Sequence, residues 1–106
     1  MSETGYYYYY CIIKVTPNDE EQYEDMGEFD LYLNMTQKEL EKKEPKRQPY
    51  LDTNYFSKEL IEILFKFRAS FRDGTEDINR YIDLVKETIE NELNVLITEF
   101  NVEEIG

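Results

Sequence analysis

A chain of 106 residues with 41% hydrophobic content is one domain with a single core. Its 15% aromatic content, ten of those residues tyrosine, excludes a disordered acidic tail. Twenty-four acids against twelve bases give a net charge of −12, which argues against nucleic acid or anionic lipid as a direct partner.

Residues 6–16, YYYYYCIIKVT, are aromatic and β-branched and run into Pro17 and Asn18, which predicts a strand closed by a turn. The next ten residues, 18–27, form a loop with five acids. Residues 28–36 alternate, with Phe29, Leu31, Leu33 and Met35 on one face and Asp30, Tyr32 and Asn34 on the other, as a second, half-wet strand would. Residues 36–43 read as a short helix with Thr36 and Glu39 as a capping box. Pro45 and Pro49 then enclose Lys46 and Arg47 in an irregular connection over 44–53, with a short extended piece at 50–52.

The strongest helical period lies in residues 54–74. Leu60, Leu64, Phe67 and Phe71 recur at steps of four, three and four, and Ile61, Ile63 and Phe65 widen the stripe. Ser57 is the expected N-cap, Phe56 and Ile61 the staple, and Gly74 the stop. A second helix begins at Thr75, carries Glu76 and Asp77 in its first turn, and buries Ile78, Ile82, Val85, Ile89 and Leu93. Leu96 and Phe100 could extend that stripe, but the β-branched run after Asn94 favours a closing strand over 94–102. The expected order is β-β-α-α-β: an α+β two-layer domain, an antiparallel sheet with two main helices on one face.

The chain contains no histidine, which removes the side chain best suited to proton transfer near neutral pH and the commonest metal ligand. Cys11 shares parity with Tyr7, Tyr9, Ile13 and Val15, the place of a buried, inert thiol. Carboxylate pairs are abundant, yet nothing marks one as buried, and the four scattered glycines form no phosphate-binding loop. Asp19, Glu20, Glu21, Glu24 and Asp25 lack the alternation, central glycine and closing glutamate of a calcium loop. The expectation is a non-enzymatic protein with no metal and no cofactor. One cysteine allows no internal disulfide, and there is neither a signal-peptide pattern nor a run of about 18 apolar residues. That places the chain in a reducing cytoplasm, a host's if it is viral, and away from membranes.

Charge is uneven along the chain. Residues 1–37 carry one base and eight acids, 38–72 nine bases and six acids, and 73–106 two bases and ten acids, or −7, +3 and −8. One reading is self-neutralisation, with Lys46 and Arg47 against acids of the outer segments. The other is that the five loop acids, with Asp77, Asp83, Glu87, Glu90 and Glu92 on the second helix, imitate a phosphate backbone to a basic partner. Tyr6, Tyr8 and Tyr10 stand with Ile12 on the face of the first strand away from the helices, with Tyr32 nearby, as a contact surface would. That face could instead close a homodimer or lie under the short helix or the proline loop.

In this general character the chain is similar to small inhibitory proteins: immunity proteins, antitoxins, and phage anti-defence proteins such as anti-CRISPR proteins, several of which imitate nucleic acid. The likeness is one of composition and assigns no residue. The expected function is an acidic inhibitor of a basic, nucleic-acid-acting partner such as a nuclease, bound through Tyr6, Tyr8, Tyr10, Tyr32, Asp19, Glu20, Glu21, Glu24, Asp25, Asp83, Glu87 and Glu90. The alternative is a structural or assembly subunit that self-associates through the tyrosine face.

Overall fold

Alternation decides the sheet. In the computed structural model, which describes residues 5–19, 22, 23, 25–55, 57 and 59–105, strand β1 (Tyr6–Pro17) buries Cys11, Ile13 and Val15 and turns Tyr6, Tyr8, Tyr10 and Ile12 the other way. Helix α1 (Met26–Lys43) follows, then a single 3₁₀ turn (Pro45–Arg47) and strand β2 (Tyr50–Tyr55). Strand β3 (Ile61–Ser70), helix α2 (Thr75–Leu93) and strand β4 (Val95–Ile105) complete the order. The four strands lie β2-β3-β1-β4, each antiparallel to its neighbours, with both helices over one face. This is the split βαβ arrangement of ferredoxin-like folds. The α+β class, the antiparallel sheet and the one-sided helix layer are as expected; the element order β-α-β-β-α-β is not.

Two segments exchange their expected states. Residues 28–36 are helical and continue without a break through 36–43. Phe29, Leu33, Thr36 and Leu40 form the buried arc, while Leu31 and Met35 point to solvent. Thr36 is no cap: it is fully buried mid-helix, its hydroxyl donating to the Tyr32 carbonyl at 2.8 Å. The cap is Asp25, whose carboxylate accepts the Glu28 amide at 2.9 Å.

Residues 61–70, expected within the strongest helix, are a central strand. Ile61, Ile63, Phe65, Phe67 and Ala69 alternate into the core, and the stripe residues Leu60 and Phe71 are left 43% and 71% exposed. A period of two that accounts for five buried residues outweighs a helical period that strands two large apolar ones in water. Ser57 closes the β2–β3 turn, its Oγ accepting from the Leu60 amide at 3.1 Å, and Phe56 lies outside the described residues.

The second helix is as expected in its core: Ile78, Ile82, Val85, Ile89 and Leu93 are all buried. Its N-cap is Gly74 rather than Thr75, and the Asp77 carboxylate accepts the Gly74 amide at 3.1 Å. Asn94 ends it in the left-handed region, φ 52°, a conformation that asparagine adopts more readily than most residues, and the chain leaves directly into the expected closing strand.

Candidate binding surfaces

The open face of the sheet is bordered at one edge by the 3₁₀ turn, where Arg68 Nε donates to the Lys46 carbonyl at 3.2 Å. β1 places Tyr6 at 52% and Tyr8 at 39% exposure there, with Tyr10 and Ile12 half-buried beside them. Across the register, Arg68 opposes Tyr8 and Lys66 opposes Tyr10. The cations lie over rings one step along the strand, Arg68 4.0 Å from the Tyr6 centroid and Lys66 5.3 Å from that of Tyr8. On the other flank Glu103 opposes Tyr10 and Glu99 opposes Lys14, the latter as an ion pair at 3.4 Å.

Tyr50 joins the face from β2, 53% exposed and paired in register with Lys66. Its parity is unreadable unless residues 50–55 are recognised as a strand, so sequence reasoning passed over it. Tyr8, Tyr50 and Lys66 line a groove of about 590 Å³ with Pro45, Pro49 and Glu41. Tyr32 does not belong to this surface. It sits on α1, in the helix layer on the opposite side of the sheet, edge-on to Tyr23 at 5.7 Å.

The acids divide between structural tasks and open surface. Asp25 caps α1, and the Glu90 carboxylate accepts the Ile97 amide at 3.1 Å, so both hold backbone in place. Asp83 and Glu87 stand exposed one turn apart on α2, and Asp19 is exposed in the β1–α1 loop. Glu20, Glu21 and Glu24 lie outside the described residues.

That loop is tied to the far end of α2. Asn18 donates from its amide to the Asn94 carbonyl at 3.1 Å and from its side chain to Asn94 Oδ1 at 3.0 Å, and Gln22 Nε2 donates to the Leu93 carbonyl at 3.0 Å. Tyr23, buried in the middle of the acidic stretch, donates its hydroxyl to the same carbonyl; burial foremost pushes its pKa up to about 12. Asp19, Asp25 and Glu28 therefore share one end of the molecule with Glu90 and Glu92.

Bases collect at the opposite end, where α1 and β3 finish and α2 begins: Lys42, Lys43, Lys46, Arg47, Arg68, Arg72 and Arg80. Arg47 is the anchor there. It is only 3% exposed, grips Asp73 with both nitrogens at 2.7 and 3.3 Å, and lies 5.4 Å from the Tyr81 ring centroid. The Arg47 hydrogen bond chiefly, helped by the Ser70 amide at 2.8 Å, holds the Asp73 carboxyl below the usual range against its partial burial. Arg47 is thus set against an acid of the last segment, as the self-neutralisation reading expects.

Reactive chemistry is poorly served. Cys11 is fully buried, and burial pushes its thiol up to about 12, so the thiolate is scarce at neutral pH. Among the described residues no group of three or more histidine, cysteine or acidic side chains is placed to hold a metal ion, and no helix is long and apolar enough to cross a membrane.

No protein-family model and no curated protein matches the chain. Among solved structures it is similar to a de novo designed protein, Foldit4, at TM-score 0.56 and 14% identity, over 96% of this chain and 98% of that one. It is also similar to the structural-genomics protein YJCS at TM-score 0.54 and 11% identity, over 93% and 99% of the two chains. Identities this low show a shared fold alone.

Proposed function

We propose that this chain is a non-enzymatic binding protein that inhibits a basic, nucleic-acid-acting partner in the cytoplasm by occupying its nucleic-acid groove. The observation that carries the reading is the segregation of charge in space. Sequence order alternates acid, base, acid, but the fold gathers Asp19, Asp25, Glu28, Glu90 and Glu92 at one end and continues them along α2 through Glu87 and Asp83. Glu87 and Asp83 are about 6 Å apart along the helix axis. Most bases sit at the other end, where Arg47 has its charge matched by Asp73. An acid-rich strip of this kind, which Lys86 shares on α2, draws a cationic groove at long range and competes there with phosphates.

The test is capture from extract of the source organism or its competitors on immobilised protein, followed by elution with duplex DNA at constant ionic strength. Basic nucleic-acid-binding proteins should be retained and released by the DNA. Retained proteins that DNA does not displace would contradict groove occupation.

A further inference from the structure

At the basic end, a cleft of about 460 Å³ opens between the last residue of α1, the 3₁₀ turn and the first turns of α2. Its bases are Lys43, Lys46, Arg47 and Arg80. Its acids are Glu44, Asp73 and Asp77, and two of them are already engaged. Asp73 holds Arg47, while Asp77 accepts the Gly74 amide at 3.1 Å and lies 3.4 Å from Arg80. Four bases to three acids leave the cleft at +1 in a chain of −12, with Lys43 and Lys46 facing Glu44 alone.

Two buried donors of this cleft are unsatisfied. Arg47 Nε and the Tyr81 hydroxyl have no hydrogen-bond partner among the described residues, although Arg47 is 3% and Tyr81 2% exposed. Both terminal nitrogens of Arg47 hold Asp73, which leaves the Nε–H as an open donor. The guanidinium carbon lies 5.4 Å from the Tyr81 ring centroid, and both side chains line the cleft. Burial above all raises the Tyr81 pKa, so its hydroxyl keeps its proton and donates. Buried donors without a partner are rare in native folds, and two at one site call for an acceptor. We infer that this cleft binds a small phosphate-bearing ligand, its phosphate accepting from Arg47 Nε, the Tyr81 hydroxyl and the Lys46 ammonium.

Charge and direction select that ligand over a buried water or a planar carboxylate. The donors come from three elements: Lys43 ends α1, Lys46 and Arg47 form the 3₁₀ turn, and Arg80 and Tyr81 belong to α2. Donors spread in this way surround a tetrahedral group with three terminal oxygens. The positive end of α2 is here as well, and its N-cap, Gly74, has no side chain to accept from the first-turn amides. The acidic strip faces elsewhere. At about 100° per residue, Asp83 and Glu90 project from the side of α2 away from Tyr81, and exposed Glu76 does not line the cleft. The volume falls within the range of small-molecule sites, and the wall formed by Leu84 and the Tyr81 ring suits the organic part of a phosphate monoester.

Isotope-edited NMR of the full chain reads the site directly, because the Arg47 Nε–H gives its own signal. At constant ionic strength, inorganic phosphate should shift that signal saturably, and acetate at the same concentration should not. Tyr81→Phe should weaken phosphate binding about tenfold while its melting temperature stays equal or rises, since the variant removes a buried hydroxyl that the fold leaves unpaired. Lys46→Gln, at an exposed position, should weaken binding about threefold. An Arg47 signal that phosphate leaves in place, or equal shifts with acetate, would overturn the phosphate site. So would a Tyr81→Phe chain that binds phosphate as the wild type does, or one that melts markedly lower, because the hydroxyl would then be satisfied within the fold.

Discussion

At the scale of single residues, the buried Arg47–Asp73 pair is costly to break from one side. Arg47 is almost wholly buried, so removing its counter-charge strands a cation in the interior; Asp73→Asn should cost about 3 to 5 kcal/mol at neutral pH, read by urea denaturation. The folded-state carboxyl titrates below its unfolded value of about 3.9. Its contribution is therefore present above that value and is lost as pH falls through the lower folded value. The gap between wild type and Asp73→Asn should accordingly stay constant from pH 8 to about pH 4 and narrow below it. A gap that widened on acidification would contradict the pairing. Cys11 offers a second check. With its thiol buried and raised to about 12, a thiol reagent should label it at the rate of unfolding, and rapid labelling of the native chain would mean β1 does not seal that position.

At the scale of elements, β3 separates two accounts of one sequence. As a strand it buries Phe67 and leaves Phe71 at the surface; as a helix it would bury both. Phe67→Ala should cost about 3 to 5 kcal/mol and Phe71→Ala less than about 1, and equal losses would favour the helix. The ambiguity is physical. Phe29, Leu31, Leu33 and Met35 satisfy a period of two, while Phe29, Leu33, Thr36 and Leu40 satisfy a helical arc. The latter wins because that arc packs against α2 and β2. A central strand such as β3 likewise needs one apolar face and two neighbours, and neither neighbour is visible from within the segment. β1 and α2 were readable because their patterns admit one period and their ends are marked, by Pro17 and by Asn94. The parity of Tyr6, Tyr8 and Tyr10 followed from β1 and holds. Tyr32 and Tyr50 did not follow, since each depends on an element whose state was settled elsewhere. Asp25 with Glu28 three residues later is a helix-start signature, but amid five acids it is indistinguishable from loop charge in the sequence.

At the scale of the whole molecule, the chain's three charge blocks say nothing of where the charges meet; the antiparallel topology does, by bringing the start of α1 to the end of α2 and the turn that follows α1 to the start of α2. A strip rich in like charges resists compaction, so Asp83→Asn with Glu87→Gln should leave the melting temperature equal or slightly higher, and a marked fall would mean those side chains hold the fold. The same variant gives the most direct test of partner recognition. Affinity for the captured basic protein is measured against salt for wild type and variant. Wild-type affinity should fall steeply as salt rises, and the variant should bind more weakly at low salt, with a shallower slope, until the two converge at high salt. An affinity indifferent to salt, or a variant with the wild-type slope, would contradict an acidic strip that stands in for phosphate.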